Sequence, residues 1–123
     1  MRIAIDINHT ITHAPEFFSL FTRLMKAEII IVTCRDSLEE AQLALQDCQV
    51  RYDRIIIPND SELGRKKDQN LSEWKAHVIE QIKADVFFDD TPEIIALIKP
   101  PTKVFMVIDE VMQGWIQDNL SRS

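Results

Sequence analysis

Carboxylates follow two short apolar stretches of the chain, in the pattern that places acids at the ends of buried strands. Asp6 follows the apolar run 3–5, and the pair Asp89 and Asp90 closes the run that begins at Val86. In an open α/β sheet, the carboxyl ends of parallel strands form the edge where ligands bind. A carboxylate at that edge can bind a metal, act as a nucleophile, or cap the helix that follows. The local sequence alone leaves these three roles open.

A hydroxyl and two cationic side chains occur at related positions. Thr33 ends a β-branched run, Arg35 follows it, and Lys75 lies in the predicted helix before the VFFDD stretch. Carboxylate oxygens with water suit Mg²⁺, and a metal, a lysine and a hydroxyl together suit a phosphoryl group. Arg35 could meet a phosphate through two hydrogen bonds or lie on the surface. Lys75 could likewise be an exposed helix residue.

The elements that would position these groups alternate regularly between strand and helix. β-branched runs predict short buried strands, and apolar residues at helical spacing predict the helices between them. This alternation favours right-handed βαβ crossovers and a parallel sheet covered on both faces. Ser37 and Ser72 are the expected N-caps of two helices, and Trp74 and Trp115 are expected to pack against the sheet. The predicted strands are 3–5, 28–33, 54–58, 86–89 and 103–108, and the predicted helices are 14–27, 38–48, 72–83, 92–97 and 110–120.

Composition limits the classes of function. The 123 residues suit one domain, 1–123, and the net charge of −6 argues against non-specific binding to nucleic acid or to an anionic membrane. No apolar run approaches the roughly 20 residues that span a bilayer. The two cysteines, Cys34 and Cys48, lack metal-site spacing and indicate reduced thiols in a cytoplasmic protein. Cys34 also lacks a glycine-rich phosphate loop, which argues against a cysteine nucleophile.

The order of these motifs resembles the haloacid dehalogenase-like (HAD) phosphatase superfamily. Its first motif, Asp-x-Asp-x-Thr or Val after a strand, is similar to the segment DINHT at 6–10. Its second motif ends a strand in Ser or Thr, here Thr33. Its third is a lysine, here Lys75, and its fourth is a strand with paired acids, here Asp89 and Asp90. The motifs span residues 3 to 93, which is most of the chain.

The resemblance implies a reaction and a fold. Asp6 would be the nucleophile that forms an aspartyl-phosphate, and the fold would be a single three-layer α/β domain with a five-stranded parallel sheet of order 5-4-1-2-3. The implied Mg²⁺ ligands are the Asp6 carboxylate, the Asn8 backbone carbonyl, Asp89 and Asp90. The phosphoryl and substrate contacts expected beside them come from Thr10, Thr33, Arg35 and Lys75.

Two departures from the family pattern bear on activity. Asn8 stands where the family has its general acid/base, and the loss of such a group typically slows catalysis ~10²–10⁴-fold. His9 stands where the family usually has Gly, so the turn after the first strand could differ in backbone geometry from the family's turn. His9 could also act as a substitute proton donor, although its neighbouring position favours another orientation.

The absence of a cap domain bears on the substrate. The segment 8–14 is too short for a cap, and the loop 59–70 could form only a flap. An open site favours a phosphorylated macromolecule over a phosphorylated small molecule as the substrate. Alternatively, a partner chain closes the site, and that chain could be a second copy in a homo-oligomer.

Three functions therefore compete. The first is an Mg²⁺-dependent phosphohydrolase of low or restricted activity. The second is a catalytically silent HAD-fold protein that binds a phosphorylated ligand or partner. The third is a receiver-type signalling domain, which ranks last because its acid pair should follow strand one and its acceptor should follow strand three.

Overall fold

The sheet has five parallel strands, and the strand that leads into Asp6 lies at its centre. The computed structural model describes residues 1–121, so the last two residues of the predicted domain 1–123 lie outside the described part. The strands are β1 Arg2–Ile5, β2 Glu28–Val32, β3 Arg54–Ile56, β4 Val86–Asp89 and β5 Lys103–Met106. The strand order is β3-β2-β1-β4-β5, which is the predicted order read from the other edge.

Helices connect successive strands and cover both faces of the sheet, as βαβ crossovers require. The helices are α1 Pro15–Leu24, α2 Leu38–Asp47, α3 Leu71–Gln81, α4 Pro92–Ile95 and α5 Glu110–Ser121. One face packs against α3 and α4 through a core that includes Trp74 and Val78. The other face packs against α1 and α2 through Phe18 and Leu45. The prediction of a single three-layer α/β domain is therefore confirmed.

The N-caps of α2 and α3 show one correct prediction and one wrong one. The hydroxyl of Ser37 accepts a hydrogen bond from the Glu40 amide at 3.2 Å, as predicted. For α3, the cap is Asn70 and not Ser72, because the Asn70 side chain accepts from the Glu73 amide at 2.8 Å. The helix therefore starts earlier than predicted, and Lys75 lies in its second turn.

Several apolar side chains on α1 and α5 are exposed. On α1, Phe17, Leu20 and Leu24 are more than half exposed. On α5, Trp115 is 62% exposed, so its predicted packing against the sheet is wrong, whereas Trp74 is fully buried as predicted. Helical periodicity showed which residues share a face but not whether another element covers that face.

The loop between β3 and α3 is fixed by hydrogen bonds at two points. The carboxylate of Asp60 accepts the amides of Glu62 and Leu63 at 3.1 and 3.0 Å. The indole of Trp74 donates to the Leu63 carbonyl at 2.7 Å. Gly64 leaves no room for a side chain, since a Cβ there would lie 2.4 Å from the Asp60 carbonyl oxygen.

No helix among residues 1–121 combines the length and the apolar character needed to cross a membrane. Cys34 and Cys48 are both free and half-buried.

Candidate metal centre

The ends of β1 and β4 bring three acids together. Ile5 pairs with Phe88 across the two strands, and the amide of Asp6 donates to the Phe88 carbonyl at 3.0 Å. Asp6 therefore lies beside Asp89 and Asp90, where the chain leaves β4. Carboxylate oxygens of the three acids all lie within 4.8 Å of one another. The predicted convergence at this edge of the sheet is confirmed.

A buried lysine bridges two of these acids. The Nζ of Lys75 lies 2.6 Å from Asp6 Oδ1 and 2.8 Å from Asp89 Oδ2. Lys75 is only 1% exposed, which rules out the alternative that it is a surface helix residue. Burial of an ammonium is costly unless opposite charges and hydrogen bonds surround it. The buried ammonium of Lys75 is therefore stabilised by the carboxylates of Asp6 and Asp89, and it stabilises their negative charge in return.

The carboxylate oxygens of the three acids outnumber the hydrogen-bond donors around them. The hydroxyl of Thr10 lies 3.3 Å from Asp6 Oδ2 and 3.4 Å from Asp90 Oδ1, and it can donate to only one of them at a time. Asp89 Oδ1 accepts the Thr91 amide at 2.8 Å. Asp89 Oδ2 is buried and, despite its short distance to Lys75, has no well-aligned hydrogen bond in the described part of the chain.

The excess of carboxylate changes the protonation of the site. Burial is the main cause that raises the pKa of Asp6 to about 7. The charge of Lys75 acts in the opposite direction, and the charge of Asp89 raises this pKa further. Burial alone would lower the pKa of Lys75, but Asp6 and Asp89 outweigh it and raise that pKa. Three carboxylates against one ammonium leave two negative charges uncompensated when all are ionised. This donor set could hold a cation, and its all-oxygen chemistry fits a hard divalent ion.

The turn after β1 is tighter than a simple loop. Ile7–Ile11 forms one irregular helical turn in which His9 adopts the left-handed conformation, with φ 58° and ψ 9°. Histidine is among the non-glycine residues enriched in that region, where most L-residues lose about 1–2 kcal/mol. The His9 amide donates to the Thr12 hydroxyl at 3.0 Å, which helps to hold the turn. His9 can therefore adopt the backbone conformation that usually favours glycine.

The side chain of Asn8 is held by an arginine from the segment that follows β2. Asn8 Oδ1 accepts from Arg35 Nε at 3.1 Å and from Arg35 Nη2 at 2.8 Å. Because arginine has only donors, this contact fixes which atom of the amide is the oxygen. A third Arg35 nitrogen lies 3.4 Å from the Glu40 carbonyl oxygen. These three contacts fix the orientation of the Arg35 side chain.

Thr33 and Cys34 lie at the same edge of the sheet, after β2. Thr33 is buried, and its hydroxyl accepts the Arg35 amide at 3.3 Å. Burial is the main cause that raises the pKa of the Cys34 thiol, and the charges of Lys75 and Asp6 act on it in opposite directions. A raised thiol pKa disfavours the reactive thiolate, which supports the argument against a cysteine nucleophile.

The structure thus brings most of the predicted site residues together but divides them into two groups. Thr10 and Lys75 contact the acid cluster, whereas Asn8 and Arg35 contact each other. The Asn8–Arg35 pair was not predicted, and a contact between residues 27 positions apart leaves no local signal in the sequence. Thr10 was predicted as a substrate contact, and its buried hydroxyl lies between two of the acids.

Comparison with known proteins gives a fold but no family. Neither a protein-family model nor a curated protein sequence matches the chain. Chains in two solved structures, described as a Pnkp1/Rnl/Hen1 complex and as the Pnkp1/Rnl/Hen1 RNA repair complex, share the fold. Each superposes with a TM-score of 0.62 at 12% identity and covers 87% of this chain. This chain spans 46% and 42% of those chains, which is less than half of their length.

Proposed function

We propose that the chain is an Mg²⁺-dependent phosphohydrolase that acts through an aspartyl-phosphate on Asp6, with low or restricted activity. The observation that carries the proposal is the buried Lys75 ammonium between Asp6 and Asp89, with Asp90 completing an acid cluster that exceeds its counter-charge. The resemblance of the motifs to HAD phosphatases supports the same function. The metal ion would be held by Asp6, Asp89 and Asp90.

The chemistry begins with the Asp6 oxygen that Lys75 does not hold. Lys75 holds Oδ1 at 2.6 Å, and the Thr10 hydroxyl lies 3.3 Å from Oδ2. Oδ2 would attack phosphorus, the bond from phosphorus to the leaving oxygen would break, and that oxygen would keep the electron pair. Mg²⁺, when bound, would offset charge on the phosphoryl oxygens and favour the ionised form of Asp6. Lys75 and Arg35 are the cations available to the transferring phosphoryl group.

The site has no general acid/base at the position where HAD phosphatases have one. The amide of Asn8 cannot supply the proton that a poor leaving group needs, and it cannot remove a proton from the water that hydrolyses the aspartyl-phosphate. Acyl and aryl phosphates have leaving groups that depart without a proton, so they should still react. The intermediate should then accumulate, because its hydrolysis lacks a general base for every substrate.

The decisive experiment detects that intermediate. The protein is mixed with Mg²⁺ and acetyl phosphate or an aryl phosphate, quenched rapidly, and analysed by intact mass. We expect a mass gain of one phosphoryl group, a product burst near one equivalent, and a steady state slowed by up to ~10²–10⁴-fold. Asp6→Asn should abolish the adduct. The matched control, Asp68→Asn at an exposed position of the loop before α3, should keep it.

A second function follows from the Asn8–Arg35 contact. An amide oxygen fixed by a guanidinium creates a polar, proton-inert surface, which suits retention of a phosphorylated ligand. If no donor phosphorylates Asp6 although Mg²⁺ binds, the silent ligand-binding function is favoured. One of the structural neighbours belongs to an assembly described as an RNA repair complex, and residues 1–121 form a single α/β domain with no inserted cap. A phosphorylated RNA end therefore belongs among the substrates and ligands tested.

A further inference from the structure

The last helix has an apolar side with no cover. None of the residues of α5 is buried, all of them lying in the described part of the chain. Val111 is 82% exposed and Trp115 is 62% exposed. A helix of 12 residues is marginal in water without tertiary packing. An amphipathic helix of this length therefore needs a surface against which its apolar side can pack.

The same chain has a second exposed apolar surface, which α5 does not cover. Four phenylalanine rings form a continuous row from α1 across β4 to β5, with successive centroid distances of 5.6, 5.4 and 5.3 Å. The two ends of this aromatic row are 53% and 54% exposed, so α5 does not cover them. On α1, Leu20 and Leu24 extend the exposed surface. The aromatic row consists of Phe17, Phe21, Phe88 and Phe105.

The exposed surface is large enough for a specific contact. Phe17, Phe105 and Trp115 each expose more than half of a side chain that offers about 150–250 Å². With Leu20, Leu24 and Val111, the apolar area is roughly 500 Å² per chain. Two such surfaces total about 1,000 Å², which is the lower bound for a specific protein interface. Apolar patches of this size on a soluble domain mark interaction sites.

We propose that two copies of this chain associate with α5 of each copy packed over the aromatic row of the other. Two copies together reach about 1,000 Å², the area that a specific interface needs. A second copy covers both apolar surfaces at once, and a two-fold axis makes the two contacts equivalent. The proposal concerns the face of the sheet that carries α1, and it does not depend on the chemistry proposed for Asp6.

The first test measures mass in solution. Sedimentation equilibrium over the micromolar range should give twice the chain mass of 14.3 kDa. Trp115→Asp should raise the dissociation constant roughly 30-fold or more, because it places a charge at the centre of the contact. Gln117→Asp, on the opposite side of α5, is the matched control and should leave the dimer intact. Circular dichroism verifies that each variant is folded.

The second test identifies the surface that α5 meets. A chain with Leu20→Cys is mixed with a differently tagged chain with Val111→Cys, and a short bismaleimide is added. We expect a link between the two tags, above the background set by the parent chain with Cys34 and Cys48. A monomeric parent, an intact dimer for Trp115→Asp, or no link between the two tags above that background would each overturn the proposal.

Discussion

The stability of the metal-free protein should fall as the pH rises through the acidic and neutral range. The carboxyl of Asp6 has an ordinary pKa of 3.8 and a pKa of about 7 in the folded protein. Between these values the folded state holds a proton that the unfolded state has released, so a higher pH favours unfolding. The stabilisation is complete below the unfolded pKa and is lost as the pH rises through the folded pKa.

The size of the effect follows from the pKa difference. About three units at 1.36 kcal/mol each give an upper value of about 4 kcal/mol in the free energy of unfolding. Asp6 is buried, so solvent screening removes little of this energy. Lys75 does not contribute to the slope in this range, because its pKa lies above its ordinary value of 10.5. A loss of this size is a large fraction of the stability of an ordinary domain.

Urea unfolding in a chelator, from about pH 4 to about pH 8, measures the slope. The wild type should lose stability over this range, whereas Asp6→Asn should remove most of the slope. Asp68→Asn, at an exposed position of the loop before α3, is the matched control and should follow the wild type. Mg²⁺ should stabilise the wild type more at pH 8 than at pH 5, because it binds the ionised carboxylate. A flat wild-type profile, or an equal slope in Asp6→Asn, would refute the reasoning.

Three further predictions test separate parts of the structure. Asp90→Ala should weaken Mg²⁺ binding at least about tenfold by isothermal titration, and unchanged heats would remove Asp90 from the metal site. Asn8→Asp should raise turnover of an alkyl phosphate more than that of an aryl phosphate. The gain in alkyl-phosphate turnover should be larger when Asn8→Asp is combined with Arg35→Ala, because the Arg35 guanidinium keeps the new carboxylate ionised. An equal change in the turnover of both substrates would contradict the loss of a general acid at position 8. Gly64→Ala should cost about 1–3 kcal/mol in urea unfolding, since a Cβ there would lie 2.4 Å from a backbone oxygen, whereas Gly114→Ala on the open side of α5 should be neutral or stabilising.

The strands and the acid cluster were predictable because their determinants are local. β-branched runs identify buried strands, and each acid directly follows such a run, so its position at the sheet edge follows from the parallel topology. The strand order came from the resemblance to HAD phosphatases, and the structure confirms it. Lys75 was expected at the site through the same resemblance. Its contact with both Asp6 and Asp89 depends on where α3 begins, and sequence locates helix ends only to within a few residues.

The remaining features depend on contacts that sequence patterns do not encode. Ser72 and Asn70 are both good capping residues, and only the folded backbone selects Asn70. His9 resembles any other polar turn residue until its positive φ is seen. The exposure of Trp115 depends on whether α5 meets the sheet, and periodicity alone carries no information about that partner.

The two tryptophans lie in opposite environments, and this makes them optical reporters of separate events. Trp74 is buried and donates its indole N–H to the Leu63 carbonyl, whereas Trp115 is mostly in water. The emission of Trp74 should respond to the loop before α3 and, through its neighbour Lys75, to changes at the acid cluster. The emission of Trp115 should shift to shorter wavelength when α5 becomes covered. Without any added label, intrinsic fluorescence can therefore follow ligand binding and chain association in the same sample.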